Sequence, residues 1–158
     1  MSELRRIWWP LPGKLCLLER PGGGGRSHRP QRRAEEVDHL ARAGVRLVVS
    51  TMTTRHNLSA YDEAGLAWVH VPVASCEAGA DALAEIVALL KRELRRRGAV
   101  AVHGNRMTDF VAAVGVAYMR DVRGVDPAES LAEAERAGLR PTPACVELLG
   151  LEPVASSS

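Results

Sequence analysis

The chain has 158 residues, of which 46% are hydrophobic and 25% are charged, and its formal net charge is +2. This length and composition suit one globular domain with a buried core, which we expect to span residues 1–150. The small net charge gives no reason to expect a nucleic acid or a membrane surface as a partner. No apolar run approaches the roughly 20 residues that span a bilayer, and the N-terminus lacks the apolar core of a signal peptide.

Cysteine usage also bears on the compartment. The chain has three cysteines, Cys16, Cys76 and Cys145, which are scattered along the sequence. They form neither a disulfide framework nor a CxxC metal pair, as is typical of a reducing compartment. We therefore expect a cytoplasmic protein that binds no metal and carries no cofactor.

The chain opens with a predicted strand pair. Residues 5–18 are consistent with two short strands around a turn at residues 10–13. We expect one of the adjacent tryptophans, Trp8 and Trp9, to pack on the core and the other to be half exposed.

A glycine-rich and arginine-rich segment follows at residues 20–33. Its four consecutive glycines, Gly22 to Gly25, bury nothing that would offset their ordering entropy, so a flexible loop is predicted. The segment has five arginines. They are consistent with a solvated basic connector or, alternatively, with a loop that folds over an anionic ligand. The small polar tail, residues 151–158, is predicted to be disordered.

The remaining elements follow from the spacing of the apolar residues and from the glycines and prolines that bound them. A buried apolar run predicts a strand, and apolar residues at helical spacing predict a helix. The expected elements are a helix from Pro30 to a stop at Gly44, strands at 45–50, 68–71 and 99–102, a weak helix at 58–64, and helices at 81–97, from Thr108, at 127–137 and at 143–149.

The predicted helix at 81–97 ends in the basic sequence KRELRRR, residues 91–97. Cations near the C-terminus of a helix interact favourably with its dipole, which is a sufficient structural reason for the cluster. The alternative interpretation is a patch that binds a partner.

Residues 99–124 carry the most informative pattern. A strand buried on both faces is followed by a tight loop and a long helix, whose N-cap we expect to be Thr108. The free N–H groups and the positive dipole end of such a helix face the loop at residues 103–107. This arrangement attracts anions.

The same segment resembles the signature of the cysteine-based protein tyrosine and dual-specificity phosphatases. In that family a strand ending in Val-His-Cys is followed by five residues, then Arg, then Ser or Thr, and a helix. Val102, His103 and Thr108 fit this pattern. Further similarity is found at residues 8–15, 40–50, 65–73 and 111–131, in the family's order and spacing.

The residues that carry the chemistry of the family are replaced. Gly104 stands where the family has its nucleophilic cysteine, and in this alignment only three residues separate Gly104 from Thr108 instead of six. Arg106 is a candidate stand-in for the phosphate-binding arginine, whereas Asp109 would repel an incoming phosphate. The candidate degenerate phosphate loop comprises His103, Gly104, Asn105, Arg106, Met107, Thr108 and Asp109.

The family's general acid is an aspartate on a loop that corresponds to residues 73–79. That segment contains no aspartate; its candidate residues are Ser75, Cys76 and Glu77, of which Glu77 is the nearest acid. Asp81 is expected to cap the next helix. A thiol at Cys76 would lack the ring of N–H donors that activates a thiolate and holds a phosphoryl group.

The alternation of strands and helices predicts an α/β three-layer sandwich, with a mainly parallel central sheet of about four to five strands flanked by helices. The resemblance implies the phosphatase fold. We favour a catalytically degenerate member, a pseudophosphatase, that binds a phosphoprotein, a small oxyanion or a protein partner. The alternatives are an active phosphatase with a non-standard site and a structural or scaffolding domain without a ligand.

Overall fold

The computed structural model describes residues 7–19, 30–55, 57–104, 109–139 and 142–151. These ranges form strands and helices in the alternation that the sequence predicts. In chain order they are β1 (Ile7–Leu11), β2 (Leu15–Glu19), α1 (Pro30–Arg42), β3 (Val45–Ser50), α2 (Leu58–Glu63), β4 (Ala67–His70), α3 (Ala80–Glu93), β5 (Ala99–Gly104), α4 (Asp109–Arg123), α5 (Pro127–Arg136) and α6 (Pro143–Leu148).

The strands form one five-stranded sheet in the order β1-β2-β5-β3-β4. Only β1 runs antiparallel to its neighbour, because the tight turn after Leu11 folds it back on β2. The other three pairings are parallel, with β5 at the centre. The predicted α/β architecture with a mainly parallel sheet is therefore confirmed.

Side chains of alternating residues divide the interior into two layers. In β5, Val100 and Val102 point to the layer that packs under α3, α4, α5 and α6. Ala99 and Ala101 point to the opposite layer, under α1 and α2. Because both faces are covered, β5 is buried along its whole length, as its uninterrupted apolar sequence predicts.

Three details differ from the sequence prediction. Helix α1 begins at Pro30, as predicted, so the loop expected at residues 20–33 ends before Pro30 and not at Arg33; residues 20–29 lie outside the described ranges. The N-cap of α3 is Gly79 rather than Asp81, which lies in the first turn. The same helix ends at Glu93, so residues 95–97 lie beyond it.

Two further expectations concern the tryptophans and the tail. Trp8 is buried and Trp9 is partly exposed, as predicted. Leu151 packs against the core, whereas residues 152–158 of the expected tail lie outside the described part of the chain. Among the described helices, none is long and apolar enough to cross a membrane.

An ion pair joins the start of β3 to the end of α3. Arg46 Nη1 lies 3.1 Å from Glu93 Oε1, and Arg96 and Arg92 each approach the same carboxylate to 3.4 Å. The hydrogen bond from Arg46 is the main reason that the pKa of Glu93 lies below its ordinary value of 4.5.

Replacing Glu93 with glutamine should lower the stability of the protein in a pH-dependent way. Because the pKa of Glu93 is lower in the folded protein, its stabilising contribution is present above about pH 4.5 and is lost as the pH falls through the folded value. Urea unfolding of the wild type and the variant should therefore differ at neutral pH and converge in acid. Glu85→Gln, at an exposed glutamate of the same helix, is the control; equal pH profiles for both variants would contradict this account.

Candidate functional site

A cavity of about 330 Å³ opens at the carboxyl ends of the parallel strands. The segments that follow β3 and β4 form much of its wall, and the end of β5 reaches it at Gly104. This is the edge of a parallel sheet at which ligands usually bind. The lining residues are Thr51, Met52, Thr53, Val73, Ala74, Ser75, Cys76, Glu77, Gly104, Phe110 and Ala144.

The cavity brings the candidate acid loop together with the end of the candidate phosphate loop. Ser75, Cys76 and Glu77 line the same cavity as Gly104. Cys76 is buried, whereas Ser75 and Glu77 are exposed. The loop forms a tight turn in which the backbone N–H of Ala78 donates to Ser75. The sequence therefore identified two segments that meet in space.

His103 is fully buried and lies beneath the cavity at the end of β5. Its Nδ1 lies 3.1 Å from the Gly104 carbonyl oxygen, which can only accept a hydrogen bond, so Nδ1 carries a proton. In the neutral ring Nε2 is then the acceptor for the hydroxyl of Tyr61, at 2.7 Å. This pair fixes the orientation of the imidazole.

Three further hydrogen bonds hold the cavity wall. The backbone N–H and the hydroxyl of Thr51 donate to the His103 carbonyl oxygen, at 2.9 and 3.1 Å, and so tie the ends of β3 and β5 together. His70 Nε2, at the end of β4, donates to the Met52 carbonyl oxygen at 2.6 Å. The three strand ends are thus linked through the residues that line the cavity.

Most of the candidate phosphate loop falls outside the described residues. This applies to Asn105, Arg106, Met107 and Thr108, and to the expected capping role of Thr108. Asp109 is the first residue of α4, but its side chain also lies outside the description. The roles assigned to these residues therefore stay predictions.

Phe110 is a cavity residue that the sequence interpretation missed. It lies in the first turn of α4, is 6% exposed and packs on Gly79. A Cβ atom at Gly79 would lie 2.7 Å from Phe110 Cε2, so only glycine allows this close approach.

The spacing from Gly104 is the signal that could have identified Phe110. If the loop is not shortened, the sixth residue after Gly104, where the phosphatase pattern has its arginine, is Phe110. The next residue, Val111, then stands at the serine or threonine position and is fully buried. In this alignment two apolar side chains replace the cation and the hydroxyl.

The described lining of the cavity contains no lysine or arginine and one carboxylate, that of Glu77. Its hydroxyl groups, on Thr51, Thr53 and Ser75, are neutral donors and acceptors. Within the described ranges, no three histidine, cysteine, aspartate or glutamate side chains form a group that could hold a metal ion. The described part of the cavity therefore offers hydrogen bonds and apolar contact rather than positive charge.

Solved structures with the same architecture include phosphatases. Human DUSP28 superimposes with a TM-score of 0.69 at 25% identity, over 91% of this chain and 89% of that chain. By its fold, the chain is a member of the protein tyrosine and dual-specificity phosphatase superfamily. The resemblance seen in the sequence is thereby confirmed at this level.

Two further members extend the comparison. TpbA from P. aeruginosa has a TM-score of 0.73 at 17% identity, over 92% of this chain and 84% of its own. A mouse putative dual specificity phosphatase, solved in complex with zinc tungstate, has a TM-score of 0.65 at 21% identity, over 95% and 89% of the two chains. No family model and no curated protein sequence matches the chain.

Proposed function

We propose that this protein is a pseudophosphatase, which keeps the phosphatase fold and acts by binding instead of by hydrolysis. The observation that carries the proposal is Gly104, which ends the central strand β5 directly after His103. In the superfamily pattern that position supplies the thiolate that attacks phosphorus. Glycine has no side chain with which to form the covalent intermediate.

The other parts of the chemistry point in the same direction. No aspartate is present in the loop at residues 73–79, and Glu77 is its only acid. In the unshortened alignment Phe110 replaces the arginine that would stabilise the charge of the transferring group. The hydrolysis mechanism needs all three groups, so replacing all of them favours binding as the retained activity.

The ligand that we propose is a small oxyanion or a phosphorylated segment of a protein, bound weakly. Neutral hydroxyl groups and the positive end of α4 favour an anion. The carboxylates of Glu77 and Asp109 oppose it. Cys16, Cys76 and Cys145 are buried and form no disulfide, which supports a cytoplasmic location, and we also propose this location.

Assays of hydrolysis test the proposal directly. The purified protein should release no nitrophenol from para-nitrophenyl phosphate above background, and no phosphate from phosphotyrosine peptides. Gly104→Cys should stay at background as well, because the acid and the arginine remain absent. Turnover that persists through purification and is abolished in Cys76→Ser would overturn the proposal in favour of an active enzyme with a non-standard site.

Removing the charge of Asp109 should strengthen oxyanion binding. Asp109 is the first residue of α4. A carboxylate at this position would repel an anion at the same helix end. Asp109→Asn should bind tungstate about fivefold more tightly, or better, at low ionic strength, because charges are then least screened.

Asp121→Asn, in the last turns of the same helix, is the matched control and should leave tungstate affinity unchanged. Calorimetric titration measures both variants. Tight binding of tungstate by the wild type, or an equal gain in the two variants, would contradict the repulsion. No binding of tungstate or of phosphotyrosine peptides by any form would favour a scaffolding domain without a ligand at this loop.

A further inference from the structure

A basic cluster lies at the end of the sheet opposite the cavity. We define it as Lys14, Arg46 and residues 91–97, which surround the C-terminus of α3 and the starts of β2 and β3. Together they contain seven lysines and arginines but a single carboxylate, that of Glu93. The cluster therefore carries a local excess of positive charge in a protein whose net charge is only +2.

The helix dipole does not account for the cluster. Arg46 donates to the carbonyl oxygens of Glu93 and Arg97, at 2.6 and 2.7 Å, and Lys14 donates to that of Arg96 at 2.8 Å. Two cations from distant parts of the chain therefore already bind three carbonyl groups at and just beyond the C-terminus of α3. The five cations of residues 91–97 are not needed for this purpose.

Glu93 does not neutralise the remaining cations either. Its carboxylate is shared by Arg46, Arg92 and Arg96. Arg92 and Arg96 remain 70% and 69% exposed, although this carboxylate restrains them. Lys91, Arg95 and Arg97 are exposed and form no ion pair with any described residue. The cluster thus presents a surplus of positive charge to solvent. The Glu93 carboxylate holds part of it, the side chains of Arg92 and Arg96, in place.

We infer that the basic cluster is a docking surface for an acidic, aspartate- and glutamate-rich segment of a partner protein. Arginine guanidinium groups match carboxylates with two parallel hydrogen bonds, and four of the five cations in residues 91–97 are arginines. The five cations lie within seven consecutive residues around the end of α3, which suits a few carboxylates of one short peptide.

The other polyanions fit this surface less well. Nucleic acids are bound along extended basic stripes that contact about 6–10 phosphates, usually by domains with a much larger positive charge. A membrane surface needs apolar side chains beside the cations, but the leucines of this region, Leu90 and Leu94, are buried. An acidic protein segment needs only the exposed guanidinium groups.

The probe for this inference is a fluorescently labelled oligoglutamate peptide, and binding is read from fluorescence anisotropy at low and at raised salt. The wild type should bind the peptide at low salt and lose it as salt screens the charges. Arg95→Ala/Arg97→Ala should bind roughly three- to tenfold more weakly. Thermal melting confirms that each variant is folded.

The matched control is Arg42→Ala/Arg136→Ala, which removes two exposed arginines from the last turns of α1 and α5. It changes the net charge by the same amount and should alter affinity by less than about twofold. Equal losses in both double variants, or no binding of oligoglutamate at low salt, would overturn the inference. So would tighter binding of a single-stranded oligonucleotide or of phosphatidylserine vesicles at the same salt. If tungstate displaced the peptide, the peptide would be assigned to the cavity instead of the basic cluster. The test therefore distinguishes the two sites and does not depend on the proposed function.

Discussion

Replacing Gly115 with alanine should destabilise the protein by about 1–3 kcal/mol, although alanine is intrinsically the better residue in a helix. Gly115 lies in the middle of α4, where the helix crosses the sheet. A Cβ atom there would lie 2.4 Å from Trp8 Cζ3 and 2.8 Å from Leu17 Cδ1. Both neighbours are buried, so neither can move aside without disturbing the core. Urea unfolding should show a lower midpoint at an unchanged slope.

A second substitution separates crowding from other effects of the alanine. The Trp8 atoms nearest to a Cβ atom at Gly115 belong to the fused six-membered ring of the indole. The side chain of phenylalanine has a single ring and lacks this fused part. In a Trp8→Phe background, Gly115→Ala should therefore cost less than it does in the wild type, and the difference is the coupling energy. Equal costs in the two backgrounds would show that contact with Trp8 is not the cause.

The sheet could be predicted because its strands are short and buried. The strand predicted at residues 45–50 has the bounds of β3, since its apolar run follows a glycine and ends before polar residues. Gly44, with φ of 90°, adopts the left-handed conformation that a helix stop requires. These signals are local, so they can be read from neighbouring residues alone.

Contacts between distant residues could not be predicted in this way. Asp81 has the chemistry of an N-cap, but the N-cap of α3 lies two residues earlier, at Gly79, where the ring of Phe110 leaves no room for a Cβ atom. Nothing in the sequence around Lys14 or Arg46 indicates that these side chains bind the backbone at the end of α3. Sequence patterns report which residues share a face of one element, but not which side chains from other elements reach it.

The candidate site, too, could be predicted from the sequence only in part. A mainly parallel sheet was predicted, and the cavity that joins Gly104 to residues 75–77 lies at the carboxyl ends of its strands. Phe110 was missed because the loop was aligned with the phosphatase pattern at Thr108. Counting six residues from Gly104 would have placed Phe110 at the arginine position. A phenylalanine gives no chemical signal of its own, so only its spacing from Gly104 could have identified it in the sequence, and its burial in the first turn of α4 is seen only in the structure.

Replacing Tyr61 with phenylalanine should lower the free energy of unfolding by about 1–3 kcal/mol. Tyr61 and His103 are both fully buried, and their hydrogen bond of 2.7 Å joins α2 to the end of β5. Inside a protein a polar ring nitrogen cannot exchange this partner for bulk water, so losing the hydroxyl costs more than it would at the surface. The Gly104 carbonyl selects the Nδ1-protonated tautomer of His103, and the Tyr61 hydroxyl then donates to Nε2.

Tyr118→Phe is the matched control, because Tyr118 is also buried but its hydroxyl forms no hydrogen bond with any described residue. That variant should change stability by less than about 0.5 kcal/mol. Nitrogen NMR of the imidazole gives an independent measurement, since only Tyr61→Phe should shift the Nε2 resonance of His103. If the two variants were equally stable, or if the Nε2 resonance did not move in Tyr61→Phe, the hydrogen bond would not hold the histidine. In that case His103 would be kept in place by the burial of β5 and by Thr51 at the neighbouring strand end, and the wall of the cavity should tolerate loss of the Tyr61 hydroxyl.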